Sequence, residues 1–220
     1  MKKSDLNIYK NIFKGFLMQN HKRYHKIKKR IWGVQYTLFI YFDEKENTLY
    51  LFIQRDTPYI LYTPYALVFH SMIRRFVEAH ENNIRPYITP ETKIYIMGEC
   101  SSGIFFNILL AEYSDWFPNK KNIFYIILSP PIFLTDINHY YKIKSLGINF
   151  IIFRMVDDKA TTTQLDSPFK EHMILFEELY SPPIKDCKDW LDHLLFGNHD
   201  GAHHLEAMKR YFLNNTKIYL

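Results

Sequence analysis

The chain has few cysteines and no long apolar run, and both shortages exclude classes of protein. Its 220 residues include two cysteines, Cys100 and Cys187. Two cysteines do not make the disulfide framework of a small secreted domain, so a reducing cytoplasm is the expected setting. No stretch of about eighteen apolar residues occurs, and residues 1–6 lack the apolar segment of a secretory signal. We therefore predict neither a transmembrane helix nor a leader.

The sequence also lacks internal repeats, low-complexity tracts and a recognisable interdomain linker. Hydrophobic residues make up 47% of the chain, which is enough for one globular domain with a sizeable core.

Acidic residues are scarce near the amino terminus. Residues 1–30 contain ten Lys or Arg and one acid, Asp5, so they carry +9 although the whole chain carries +5. We divide the chain into a basic helical N-terminal arm, residues 1–30, and a main domain, residues 31–220. Such an arm could bind nucleic acid, an acidic polysaccharide or an anionic membrane surface, which would place the protein at the inner membrane face. The alternative is a solvated basic helix without a ligand.

Hydrophobic periodicity predicts strands that alternate with helices in the main domain. Strands are predicted at residues 36–42, 48–53, 93–97, 122–128 and 148–156, and helices at 66–77, 104–112, 137–146, 167–180 and 202–214. The first two strands form a hairpin across a polar turn. Alternation of this kind is typical of an open, mostly parallel α/β sheet, in which ligands bind at the carboxyl ends of the strands.

The segment at residues 98–103, Gly-Glu-Cys-Ser-Ser-Gly, links a predicted strand to a predicted helix. A nucleophile elbow needs small residues two positions before and after the nucleophile, and Gly98 and Ser102 hold those places around Cys100. The helix amino terminus behind Cys100 would favour a thiolate and an oxyanion. The alternative is a glycine turn that serves close packing or phosphate binding, with an inert buried cysteine.

Polar residues follow three predicted strands in the order nucleophile, acid, histidine. Cys100 comes first, Asp157 and Asp158 follow the strand at 148–156, and His199 follows the apolar residues 194–196. A thiol needs a base within hydrogen-bond reach, and the base needs a carboxylate on its other ring nitrogen. Strand ends can bring all three together. The alternatives are that the aspartates cap a loop and that a neighbouring histidine takes the place of His199.

A metal site is not predicted. His193, His203 and His204 lie near His199, but their spacing matches no familiar zinc signature.

Three short motifs resemble those of the α/β-hydrolase-fold O-acetyltransferases of bacterial capsule biosynthesis. The family has an elbow of the form Gly-Ser-Ser-Lys-Gly-Gly, a Gly-Lys-Asp-Asp loop and a Gly-Gly-His-Asp segment that leads into a final helix. The matching residues are 98–103, 156–158 and 197–200. Two departures are clear, because Cys100 replaces the family's serine and Ser102 replaces a glycine.

The resemblance implies an α/β-hydrolase-like fold, a mostly parallel sheet flanked by helices, in a compact version with the basic helical arm. It places the acid at Asp158 in preference to Asp157. It also implies transfer of an acetyl group, from a donor such as acetyl-CoA, to a hydroxyl of a polysaccharide. No bound cofactor is expected, and no pantetheine-binding motif is visible. Oligomeric state is not predicted.

Two hypotheses for the function follow. In the first, Cys100, His199 and Asp158 catalyse acyl transfer, and the oxyanion hole combines the backbone N–H of Ser101 with a donor at Gln54, after an earlier strand. Water as the acceptor would make the protein an esterase or thioesterase. In the second, the protein is a non-catalytic binding module of the same fold that works through its basic arm.

Overall fold

A computed structural model describes residues 9–10, 12–13, 25–31, 34–55, 66–131, 135–155, 165 and 168–176. The strands are β1 His25–Ile31, β2 Val34–Asp43, β3 Thr48–Arg55, β4 Lys93–Glu99, β5 Ile123–Leu128, β6 Asn149–Met155 and β7 Met173–Phe176. The α-helices are α1 Ala66–Ala79, α2 Glu81–Ile84, α3 Cys100–Glu112 and α4 Ile137–Ser145. Single 3-10 turns lie at Arg85–Tyr87, Ser114–Trp116, Lys120–Asn122 and Lys170–His172.

The seven strands form one sheet in their order along the chain, β1-β2-β3-β4-β5-β6-β7. β1, β2 and β3 pair antiparallel, while β3 to β7 pair parallel. This arrangement confirms the predicted α/β sheet and the β2–β3 hairpin, but the edge strand on that side is β1 and not a strand of the hairpin. The polar turn of the hairpin contains Asn47, whose φ is +44°, a left-handed conformation that asparagine tolerates better than most residues.

The main core lies between the sheet and the three longer helices. Each parallel connection moves one strand further in the same direction, and right-handed crossovers then place α1, α3 and α4 on one face. α3 lies in the middle, in contact with both α1 and α4. Residues 100–111 of α3 are all buried, which explains why this helix is apolar on every side.

A charged cluster ties the three helices together at the end of α3. The Arg74 guanidinium of α1 donates to both carboxylate oxygens of Glu112, at 2.5 and 2.8 Å. His139 Nε2 of α4 lies 2.9 Å from Glu112 Oε1. The hydrogen bond from Arg74, with a smaller contribution from His139, lowers the pKa of Glu112 against the opposing effect of burial.

The opposite face of the sheet carries a second buried cluster. Alternate residues of β4 to β7 point to this face, since side chains alternate along a strand. Three helical residues near the amino terminus, Tyr9, Ile12 and Phe13, pack in the same cluster. The sheet is therefore covered by apolar residues on both faces, as parallel strands require.

The basic segment differs from its prediction at His25–Ile31, which is strand β1 of the sheet and not part of a helical arm. Ile27 and Ile31 are buried, and they are spaced so that either a helix or a strand could place both on one face. Lys29 lies between them on the same strand face, and because it is polar the sequence does not show the apolar alternation expected of a strand. Pairing with β2 decides in favour of the strand, and tertiary context of this kind commonly overrides local propensity.

The helix predicted at residues 167–180 is wrong where the structure describes it. Lys170–His172 is a 3-10 turn, and Met173–Phe176 is β7, which is parallel to β6. A Ser-Pro pair suggested a helix start, but four consecutive apolar residues fit a buried strand equally well. The parallel neighbour β6 supplies the hydrogen-bonding partners that select the strand.

Within the described residues, no helix combines the length and the apolar character needed to cross a bilayer.

Candidate active site

The turn from β4 into α3 holds Cys100 in a strained conformation. Glu99 is extended, with φ −119° and ψ 132°. Cys100 then adopts φ +49° and is the first residue of the helix. A left-handed conformation at a residue with a side chain costs on the order of 1–3 kcal/mol, and such strain is found mainly at functional sites. The turn has the sharp strand-to-helix geometry that a nucleophile elbow requires.

Two glycines let the strand and the helix approach each other beneath the turn. A Cβ built on Gly98 would lie 2.6 Å from the Cα of Gly103 and 3.0 Å from the ring of Phe106. The first of these contacts is with backbone and cannot relax by a side-chain rotation. The small residue predicted at position 98 is therefore required because any side chain there would collide with the backbone of Gly103. The sequence analysis did not identify Gly103 as the residue that imposes this requirement.

Replacing Gly98 with alanine is expected to destabilise the protein by about 3 kcal/mol or more, since overpacking against backbone is at the upper end of its usual cost. Gly103→Ala is the matched control, because a Cβ there meets its nearest atom at an ordinary 3.5 Å and alanine favours a helix. Urea unfolding measures both. Equal stability losses in the two variants would contradict the tight approach.

The helix start is fixed by reciprocal hydrogen bonds between Glu99 and Ser102. The Glu99 side chain accepts from the Ser102 backbone N–H, and Ser102 Oγ accepts from the Glu99 backbone N–H at 3.2 Å. Ser102 Oγ also lies close to the Glu99 carbonyl. This is a capping box with acid and hydroxyl exchanged. Both hydrogen bonds hold the Ser102 hydroxyl against Glu99.

The side chain of Ser101 is hydrogen-bonded to Tyr36, a tyrosine of strand β2 in the hairpin. Tyr36 Oη lies 3.0 Å from Ser101 Oγ, and both groups are buried. The hydroxyl of Ser101 therefore points into the core. Its backbone N–H lies in the first turn of α3, where a helix provides no acceptor of its own. The predicted role of Ser101 as a backbone donor is compatible with this placement.

A second buried hydrogen-bond network lies between the first turns of α3 and the neighbouring elements β5 and α4. Tyr125 Oη lies 3.0 Å from both the Gly103 carbonyl oxygen and Asn107 Oδ1. Asn107 Nδ2 donates to Tyr140 Oη at 3.1 Å. Burial raises the pKa of both phenols, so both remain protonated and able to donate. The network joins β5, α3 and α4 directly behind the elbow.

Sequence reasoning missed these supporting residues, although a signal was present. Asn107 is a polar side chain in the buried, mostly apolar stretch 100–111 of α3, and Tyr125 interrupts the apolar strand β5. Buried polar groups need partners. A search for isolated polar residues in otherwise apolar elements would have selected both of them.

The structure describes only part of the predicted triad. Cys100 lies at the elbow, whereas Asp157, Asp158 and His199 lie outside the described residues. β6, which precedes the two aspartates, ends at Met155 at the same edge of the sheet.

The backbone of Gln54 is described in β3, one residue beyond the last β3–β4 pair, Ile53 with Gly98. Its backbone therefore runs beside Glu99, at the edge where a second oxyanion donor is needed. Its side chain lies outside the described residues. The roles of Asp157, Asp158, His199 and Gln54 stay predictions.

Among the described residues, no group of three His, Cys, Asp or Glu side chains is placed to hold a metal ion.

The arrangement of sheet, elbow and flanking helices is the α/β-hydrolase fold, which confirms the predicted fold class. A lipase from Rhizopus microsporus var. chinensis aligns over 83% of this chain and 77% of its own, with a TM-score of 0.50 and 11% identity. Lipase II from Rhizopus niveus aligns over 90% and 94%, with a TM-score of 0.52 and 10% identity. No family model and no curated protein matches the chain.

Proposed function

We propose that the protein is an acyl-transfer enzyme that forms a thioester on Cys100. The observation that carries this proposal is the left-handed cysteine at the start of a buried helix, with φ +49°. A buried cysteine in a structural role has no need for this conformation, whose energetic cost persists only where the surroundings impose it. Here the close approach of Gly98 to Gly103 and the two polar networks surround the turn.

In the first half of the reaction, the Cys100 sulfur attacks the carbonyl carbon of an ester or thioester. His199 takes the thiol proton, and the carbonyl oxygen becomes an oxyanion that the Ser101 N–H stabilises together with a donor at Gln54. When the intermediate collapses, the bond to the leaving alcohol or thiol breaks and His199 returns the proton to it. Asp158 orients His199 and stabilises its charged form.

In the second half, an acceptor hydroxyl attacks the thioester. His199 takes the hydroxyl proton, a new C–O bond forms, the C–S bond breaks, and Cys100 regains its proton. Water as the acceptor gives hydrolysis. We propose a carbohydrate hydroxyl as the preferred acceptor and an acetyl thioester such as acetyl-CoA as the donor, and this choice is supported by the resemblance of residues 98–103, 156–158 and 197–200 to the capsule O-acetyltransferases.

The function is tested by incubating the protein with a small activated acetyl thioester and following the acetyl group by intact-mass spectrometry. A protein adduct of one acetyl group, localised to Cys100 and dependent on His199, is the expected result. Adding an oligosaccharide should then increase the rate of adduct decay and yield acetylated sugar.

The competing hypothesis is the non-catalytic binding module. It predicts slow acetylation that the His199→Ala variant does not change. If acetylation is fast and depends on the histidine but the adduct decays to free acetate alone, the protein is an enzyme that hydrolyses its substrate and does not transfer the acetyl group.

A further inference from the structure

The cations of β1 lie at the same edge of the sheet as the elbow. β1 is antiparallel to β2, and β2 is antiparallel to β3, so β1 runs in the direction of β3 and β4. When the residue pairs are followed across the sheet from β1 to β4, Ile27 lies at the same height along the strands as Gly98. Lys28 is then level with Glu99, and Arg30 lies two residues further along. Three strand spacings of 4.7–4.9 Å separate β1 from β4, about 14 Å in all.

Positive charge is concentrated at this end of β1. Lys28, Lys29 and Arg30 are all exposed. Their cross-strand partners are Thr37, Tyr36 and Gln35, none of which is acidic. The field reaches neighbouring groups: burial, followed by the charges of Lys29 and His25, lowers the pKa of His80 at the end of α1.

The cations project to both sides of the sheet. Lys28 and Arg30 share one face because strand side chains alternate, and Lys29 points to the other. An extended polymer that follows one face would meet only part of this charge. A flat surface that meets the sheet end-on can contact all three long side chains at once.

We propose that the carboxyl end of β1 docks the protein on an anionic lipid surface. Each Lys or Arg near such a surface contributes about 1 kcal/mol, so the three together give useful but reversible binding. Because Cys100 lies at the same edge of the sheet, docking would turn this edge toward the lipid layer. The consequence for substrates rests on the proposed function: donors or acceptors held at the membrane would be favoured over soluble ones.

The test is sedimentation of the full-length protein with vesicles of phosphatidylcholine alone or mixed with phosphatidylglycerol, at low salt. Selective binding to the anionic vesicles is expected. The variant Lys28→Gln/Arg30→Gln should bind roughly 25-fold more weakly, about fivefold per charge. The matched control is Lys93→Gln/Lys121→Gln, which removes two exposed cations at the amino-terminal edge of the same sheet and should bind nearly as well as the wild type.

Equal weakening in the two double variants would overturn the docking surface, because net charge alone would then explain the binding. Binding to polyphosphate without binding to anionic vesicles would also overturn it, in favour of a polymer ligand. The binding assay needs no turnover, so its result stands whether or not the acyl-transfer proposal fails. Turnover of a soluble activated ester by Lys28→Gln/Arg30→Gln should equal that of the wild type, and a parallel loss would assign β1 a purely structural role.

Discussion

Replacing Cys100 with alanine is expected to remove acyl transfer almost completely, by roughly 10⁴-fold or more, while the protein remains folded. Loss of the nucleophile leaves only the oxyanion donors and substrate binding to act. Alanine removes one buried sulfur and keeps the backbone of the elbow intact. Turnover of an activated ester, with urea unfolding in parallel, measures both halves of the expectation.

Ser101→Ala is the matched control for that experiment. Ser101 adjoins Cys100 and carries a hydroxyl, but this hydroxyl points to Tyr36 and its loss leaves the backbone N–H in place. The variant should therefore retain turnover far above that of Cys100→Ala. If Ser101→Ala is inactive and Cys100→Ala is not, the nucleophile has been assigned to the wrong residue of the elbow.

Replacing Asp158 with asparagine is expected to reduce turnover by several powers of ten, whereas Asp157→Asn should change it little. A triad carboxylate fixes the histidine tautomer, and its amide cannot do so. The register places Phe153 of β6 level with Glu99, two strands from the elbow strand and so about 10 Å away. β6 thus ends close enough to the elbow strand for an acid that follows it to meet the predicted histidine.

Consecutive loop residues usually project in different directions, so we expect only one of the two adjacent aspartates to meet the ring nitrogen. Each variant has the same change of charge and size, which makes either one the control for the other. The rates of Cys100 acetylation and of adduct decay should both fall in Asp158→Asn. A loss in Asp157→Asn that is equal or larger would reverse the assignment.

The sequence was sufficient to predict the central part of the fold because its signals there are local. Strands β2 to β6 and helices α1, α3 and α4 follow from apolar periodicity, and the small residues around Cys100 indicate the elbow. One boundary was wrong. The sequence predicted that α3 begins at residue 104, because Cys100, Ser101 and Ser102 are weak helix formers. In the structure, the capping box and the buried surroundings extend the helix back to Cys100.

The parts that escaped prediction depend on partners distant in sequence. β1 is a strand because β2 lies beside it, and β7 is a strand because β6 does. The contact between Tyr36 and Ser101 joins residues 65 positions apart, and no local pattern reports it. The strict requirement at Gly98 depends on how closely Gly103 approaches, which is a matter of tertiary distance and not of residue type.

The strict chain order of the sheet has a consequence for synthesis on the ribosome. Every strand from β2 to β7 pairs with the strand that precedes it in the sequence. Each described strand after β1 can therefore pair as soon as it is synthesised, because its neighbour has already been made. No described strand is inserted later between two strands that precede it in the chain. The sheet can therefore grow in one direction as the chain emerges, since folding proceeds from the amino terminus during synthesis. The additions of β4, β5 and β6 each also bring a helix, α1, α3 and α4 in turn, that buries one face of the growing sheet.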